Sequence, residues 1–241
     1  NHLKNIINFP DKAQFVNLID DFLDIKKIAK NWEAAQDLIN KEKKIKIFKT
    51  HNMLCRFEDK YFTNTNNTLG TIYIVRDPRN VITSVKNHYN IDSFNDAKDF
   101  LFNDKQIITM SELQKEKYLK KDEYPLPTIL GSWKTHYLSW KKMKKNYLLI
   151  KYEDLLKNPF EEFSKISRYF ENILNLSFTE DQIRDATKFS SFEKLKKMEE
   201  DFGFTESSYN NKTGKKNIFF NLGPKNDWKK ILDKKIADEI S

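Results

Sequence analysis

The sequence predicts an α/β fold in which helices flank a parallel β-sheet, and three observations carry that expectation. Apolar runs at residues 45–48, 71–75 and 147–152 are rich in Ile, Val, Leu and Tyr and nearly continuous, as strands buried on both faces are. Helix-start signals fall between and after them. No Pro/Gly/Ser-rich linker, repeat or low-complexity block divides the chain, so residues 1–241 are expected to form one domain.

In chain order, a helical region over residues 3–40 leads into the first run. Asp77 and Pro78 supply an N-cap and an N1 proline directly after the second run. Ser93 with Asp96 marks a weaker start. Trp133, Tyr137 and Trp140 recur at i, i+4 and i+7, the stripe of a helix facing the core, with His136 beside it. Asn158 and Pro159, with Glu161 at N3, open a helix through Tyr169 after the third run, and Thr179 with Gln182 marks another.

Composition narrows the function classes. The 241 residues carry 43 Lys plus Arg against 35 Asp plus Glu, a formal charge of +8, and 39% are hydrophobic, enough for a sizeable core without disulfides or metals. Cys55 is the single cysteine and the four histidines are scattered, so a disulfide framework and a Cys-based zinc site are excluded, no metal is expected, and a cytoplasmic, reducing setting is expected. No apolar run approaches the roughly 20 residues of a membrane span, so no membrane partner is expected. The lysines alternate with acids at residues 41–46, 115–122 and 193–200, as on solvated faces. This argues against nucleic acid and makes the five scarce arginines informative.

Ligands of parallel sheets bind beyond the carboxyl ends of the strands, which directs attention to the residues after each run. Lys49-Thr50-His51 comes after the first: a lysine that could neutralise a moving anion and an imidazole that could take a proton, or a surface lysine and a satisfied loop histidine. Arg76 comes after the second, then a capped helix start and, two turns on, Ser84. This is an anion site built from a guanidinium, free N–H groups and a hydroxyl, or else a surface arginine paired with Asp77. Tyr152 closes the third run, where a tyrosine also commonly serves the core.

Together the segments IFKTHNML, IYIVRDPRNVITS, LLIKYEDL, GSWKTHYLSW, KFSSFEKLKKME and FFNLGPKNDWKKIL resemble the sulfotransferases that use 3′-phosphoadenosine 5′-phosphosulfate (PAPS), in the cytosolic-type branch with a histidine base. The resemblance implies a P-loop NTPase-like sulfotransferase fold and transfer of a sulfonate from PAPS to a hydroxyl or amine acceptor, leaving 3′-phosphoadenosine 5′-phosphate (PAP). It assigns His51 as general base and Lys49 to the sulfonate in flight. Arg76 and Ser84 would hold the 3′-phosphate, Tyr152 would lie near the adenine, and Ser190, Phe192 and Leu195 would form the adenine-contacting stretch. His136 would border the pocket of a small-molecule or glycan acceptor.

In the last segment Asn221 and Leu222 stand where the family carries two cations before Gly223. Backbone N–H groups near Gly223 could still donate, and Lys215, Lys216 or Lys225 could replace the charge. The family's opening strand and YPKSGTTW-type phosphosulfate loop have no counterpart, and KTGKK at residues 212–216 reads as an ordinary loop. The chain is therefore expected to start downstream of that strand and loop, and to stop inside a helix at Ser241. The alternative is a catalytically inactive nucleotide-binding or interaction protein on the same scaffold.

Overall fold

A computed structural model describes residues 6–109, 125–210 and 213–240. In chain order the strands are β1 (Ile6–Asn8), β2 (Ile47–Lys49), β3 (Arg56–Phe57), β4 (Lys60–Tyr61), β5 (Thr71–Val75), β6 (Ile107–Ile108), β7 (Thr128–Ile129) and β8 (Tyr147–Lys151). The α-helices are α1 (Ile25–Lys30), α2 (Trp32–Asn40), α3 (Pro78–His88), α4 (Phe94–Phe102), α5 (Trp133–Trp140), α6 (Tyr152–Lys157), α7 (Pro159–Leu174), α8 (Glu180–Phe189), α9 (Phe192–Phe202), α10 (Trp228–Ile231) and α11 (Lys234–Ile240). The chain forms two compact units, one from Asn1–Gly70 with Phe102–Lys145, the other from Thr71–Leu101 with Asn146–Ser241. Each contains a parallel strand pair, β1 with β2 and β5 with β8, so the expected α/β class with parallel strands is found.

In the first unit β1 runs beside β2 in the register Ile6–Ile47, Ile7–Phe48 and Asn8–Lys49. Residues 3–40 were expected to be helical, but this segment opens with a strand. A parallel neighbour satisfies its backbone groups, and β-branched Ile6 and Ile7 suit a pleated surface better than a helix. Behind the strands lies an aromatic cluster: Phe9 meets Phe15 at 6.0 Å and Phe62 at 5.6 Å between ring centroids, and Phe62 meets Trp32 at 5.2 Å and Trp140 at 6.1 Å. All five rings are buried, and edge-to-face contact adds roughly 0.5–1.5 kcal/mol per pair beyond area burial.

The loop after β2 is fixed by one fully buried side chain, Asn52. Its Oδ1 accepts from the Ile129 N–H at 2.9 Å, its Nδ2 donates to the Met53 carbonyl at 2.8 Å, and its backbone N–H donates to Thr50 Oγ1 at 3.0 Å. The Asn52 carbonyl accepts from Trp140 Nε1 at 3.0 Å, and the Leu54 N–H donates to Ser139 Oγ at 3.0 Å. An irregular segment is thereby tied to β7 and α5, and these polar groups are met.

In the second unit β5 and β8 pair from Thr71–Tyr147 to Val75–Lys151. The Asn146 carbonyl accepts from both the Thr71 N–H at 2.8 Å and the Tyr169 hydroxyl at 2.5 Å, which docks α7 at the start of the pair. Ile150 is fully buried whereas Ile74 is 57% exposed, so the second run is not covered on both faces. Helix starts agree with the expected signals: Asp77 caps α3, Thr179 and Gln182 form a capping box on α8, and Ser93 Oγ accepts from the Asp96 N–H at 3.1 Å. Asn158 precedes α7 without a side-chain cap. Pro159 at N1 has no N–H needing one, and the helix runs on past Tyr169 to Leu174.

The third run ends one residue early, because Tyr152 is already the first residue of α6. Of the Trp133, Tyr137 and Trp140 stripe only Trp140 is core; Trp133 and Tyr137 stack on each other at 5.7 Å and are half-buried. Residues 115–122 and Lys212 lie outside the described residues.

Asn52→Ala leaves the Ile129 N–H and the Met53 carbonyl unmet, and should cost about 2–4 kcal/mol of stability. Thr50→Val, which removes only one acceptor, should cost about 1 kcal/mol. Urea denaturation monitored by tryptophan fluorescence reads both; equal midpoints for Asn52→Ala and the parent would show that the loop is held by other means.

Candidate functional site

Two groups of sequence-derived candidates come together, one within each unit. In the first, Lys49 ends β2 and its carbonyl accepts from the Phe9 N–H at 2.9 Å. His51 stands two residues on, its side chain exposed, directly before the anchored Asn52. His136 Nε2 lies 3.2 Å from the His51 carbonyl. A carbonyl only accepts, so Nε2 carries the hydrogen in this contact. Burial pushes the His136 imidazole below its ordinary range, as does the neighbouring His51 charge, while the bond to the carbonyl opposes the shift. His136 is thus disposed to be neutral, with Nδ1 as the acceptor nitrogen.

The helix that carries His136 is set by its first turn. Ser132 caps it through the Thr135 N–H at 3.2 Å, and both hydroxyls donate to Asp104, which lowers that carboxyl's pKa. Gly131 has φ of +64°, and a Cβ there would stand 2.9 Å from Met53 Sδ, so any other residue would be strained and would push the Met53 thioether aside where α5 starts against the His51 loop. Sequence reasoning singled out His51 and His136 but not Asn52 and Asp104, which position them. Both act through backbone and hydroxyl groups far away in sequence, and neither type is rare enough to be noticed.

In the second unit the register places Arg76 and Tyr152 immediately after the paired residues Val75 and Lys151. The guanidinium lies over the Tyr152 ring at 4.5 Å, and Nη1 donates to Ser84 Oγ at 3.4 Å. Arg76, Ser84 and Tyr152 are therefore brought together. Burial lowers the Arg76 pKa, against the pull of Tyr152, Glu153 and Asp77. The Asp77 carboxylate, weighed above as a partner for Arg76, accepts from Arg79 Nε at 3.0 Å and Nη2 at 2.7 Å while capping α3. Arg79 also lies 4.1 Å from the Trp228 ring.

The C-terminal stretch is fastened to α3. Buried Asn226 donates from Nδ2 to the Asn80 carbonyl at 2.9 Å and to Thr83 Oγ1 at 2.7 Å, and the Trp228 N–H donates to Asn80 Oδ1 at 3.0 Å. Gly223 packs under Phe192: its φ is +51°, and a Cβ would fall 2.3 Å from Phe192 Cε2. Phe192 and Gly223 thus meet although 31 residues apart in sequence. Leu195 lies one turn beyond Phe192 on the same helix, half-buried. Ser190 is exposed and donates its hydroxyl to the Ala186 carbonyl at 2.7 Å, so it offers a ligand only lone pairs.

Asn221 is exposed and Leu222 precedes the short 3₁₀ turn Gly223–Lys225. Of the three lysines considered as replacements, Lys225 shares that turn, and Lys216 lies over Tyr209 at 5.7 Å and forms an isolated antiparallel bridge with it. Burial raises the Cys55 thiol to about 11, which leaves it inert as a nucleophile. Among the described residues no cluster of His, Cys, Asp and Glu could hold a metal ion, and no helix is long and apolar enough to cross a membrane.

Comparison with known proteins agrees with this fold class. The chain is 26% identical over 216 residues to the 3-beta-hydroxysteroid sulfotransferase of Cavia porcellus, a match covering 86% of this chain and 65% of that enzyme, so the chain spans just under two thirds of its relative's length. Retinol dehydratase, solved with androsterone and inactive cofactor PAP, superimposes with a TM-score of 0.52 at 19% identity, over 91% of this chain and 60% of its own. The mouse sulfotransferase SULT7A1 complexed with PAP gives a TM-score of 0.49 at 21% identity, over 98% of this chain and 80% of its own. The family model described as the sulfotransferase domain matches residues 3–241, and the chain belongs to that family.

Proposed function

We propose that this chain is a single sulfotransferase domain over residues 1–241, part of an enzyme that moves a sulfonate from PAPS to the hydroxyl, or amine, of a small-molecule acceptor. The observation that carries the reading is the Arg76, Ser84 and Tyr152 constellation at the carboxyl ends of two parallel strands, where a half-buried guanidinium can receive an anion. The resemblance assigns that anion as the 3′-phosphate, with Phe192 against the adenine and Ser190 and Leu195 beside it. In the segment of Asn221, Leu222 and Gly223 the Asn221 N–H donates to the Phe219 carbonyl at 2.9 Å, and the Leu222 and Gly223 N–H groups serve where the resemblance would place two cations. The relatives named for a hydroxysteroid and retinol favour a small hydrophobic alcohol over a glycan as acceptor, and neither nucleic acid nor a membrane is required. The single inert Cys55 fits a cytoplasmic enzyme.

In the reaction the acceptor O–H bond breaks as its oxygen bonds sulfur, and the bond from sulfur to the departing PAP phosphate oxygen breaks. His51 takes the proton and Lys49 stabilises the equatorial sulfonate oxygens. The protein's work is positioning and charge stabilisation, as it is in phosphoryl transfer, but the proposed step uses the Lys49 cation and invokes no metal. The His136 contact and the Asn52 anchor hold the backbone that presents His51.

Calorimetric titration of PAP with the chain tests the nucleotide half. Arg76→Ala should weaken PAP about 10- to 100-fold, the worth of one charge-assisted contact to phosphate. His51→Ala should leave the PAP affinity within about 2-fold, yet abolish sulfonate transfer in the protein that carries the phosphosulfate loop. Tight PAP binding with unimpaired turnover in His51→Ala would remove His51 as base; tight binding with no transfer in the parent would favour the inactive nucleotide-binding reading, which the missing cations at Asn221 and Leu222 motivate.

Gly223→Ala forces a methyl group into Phe192 at a positive φ, so it should lower both melting temperature and PAP affinity. Adding Phe192→Ala should restore the melting temperature in part but not the affinity, as a thermal melt and titration of the double variant would show.

A further inference from the structure

Glu199 lies on α9 seven residues after Phe192, on the same helix face and about 10.5 Å along the axis. Its Oε1 accepts from the Phe219 N–H at 2.7 Å and from Ser207 Oγ at 2.8 Å, and its Oε2 accepts from the Phe220 N–H at 2.8 Å. Burial disfavours the carboxylate, but these three bonds outweigh it and hold its pKa below the usual range. The rings of the same two residues pack on Phe204, at 4.7 Å for Phe219 and 5.3 Å for Phe220, and Phe220 meets Phe192 at 6.3 Å. Residues 219–223 are therefore attached to α9 twice, through the Glu199 carboxylate at one end and through Gly223 under Phe192 at the other.

We infer that Glu199 is a positioning residue for the 3′-phosphate end of the nucleotide site, holding residues 219–221 so that the backbone N–H groups of Leu222 and Gly223, which follow them, face the phosphate. The inference rests on the proposed PAP site. Its physical basis is the replacement of two cations by Asn221 and Leu222. Long, charged side chains find a phosphate from a loosely placed backbone; N–H groups cannot, because their direction is that of the chain itself. A segment that recognises phosphate through its backbone needs an external clamp, and a carboxylate accepting two successive N–H groups supplies one. The negative charge of Glu199 is directed at those amides and at the Ser207 hydroxyl.

The test compares PAP with adenosine 5′-phosphate, which lacks the 3′-phosphate, by titration against the full chain and Glu199→Gln. The amide keeps the size but places a donor where an acceptor is needed. PAP affinity should fall about 10-fold, the equivalent of one lost hydrogen bond, with adenosine 5′-phosphate changed less than about 2-fold. Equal losses for both nucleotides, or none for either, would overturn the inference while leaving the PAP site standing. A parent chain that fails to prefer PAP, or an Arg76→Ala variant that binds PAP as the parent does, would bring down the site reading and this inference with it. Should Glu199→Gln not fold, hydrogen exchange on the parent chain decides: the Phe219 and Phe220 amides should exchange about 10-fold more slowly with saturating PAP but not with adenosine 5′-phosphate, and unchanged exchange overturns the proposal.

Discussion

The parallel pairing of β5 with β8 is the constraint on which the Arg76, Ser84 and Tyr152 group depends. Val75 opposite Lys151 fixes where the two strands end, and so where Arg76 and Tyr152 emerge side by side. A slip of one residue would turn each side chain to the opposite face and part the guanidinium from the ring 4.5 Å below it. The register is held from its far end, where the Asn146 carbonyl joins the Thr71 N–H to the hydroxyl of Tyr169 on α7. The helix docked on the strand pair thus also sets the geometry at its other end.

Beyond the strands, the two groups of candidate residues, one in each unit, use the same device. A buried or half-buried polar side chain meets the backbone groups of an irregular segment and takes the place of secondary structure. Asn52 does this for the loop carrying His51, Asn226 for the contact between α3 and the C-terminal stretch, and Glu199 for residues 219 and 220. Buried backbone groups must be paired, so a loop that leaves a strand end to reach a ligand needs such partners. Once fully satisfied they rigidify it, and a half-satisfied network would be worse than none.

This explains which parts were legible in the sequence. The three apolar runs, the Asp77–Pro78 cap and the Thr179–Gln182 capping box were readable because period and cap chemistry are local. Arg76, Ser84 and Tyr152 could be picked out because strand ends are where parallel sheets place ligands, and their meeting is seen. The strand at Ile6–Asn8 was not readable: three residues are too few to show a period, and its partner lies about forty residues away. Asn52 and Glu199 were invisible for a related reason. Their meaning lies in acceptors and donors at residues 129, 219 and 220, and nothing in the local sequence distinguishes them from the many other Asn and Glu residues.

The charges divide in the same way. Several of the described cations form exposed ion pairs, among them Lys27–Asp20, Arg184–Glu180 and Lys197–Asp201, which add little to stability and are weakened further by salt. The formal +8 is therefore a poor guide to what the chain binds. Arg76 is of another kind. Burial penalises its charge, while the Tyr152 ring at 4.5 Å and the nearby Glu153 and Asp77 carboxylates favour it. A phosphate recovers more at a partly desolvated guanidinium than at a hydrated lysine, because the water it displaces there is less and the local dielectric lower. The proposed nucleotide site therefore rests on two fixed points, an arginine placed by strand register and a segment fastened to α9 through the Glu199 carboxylate, rather than on the net charge of the chain.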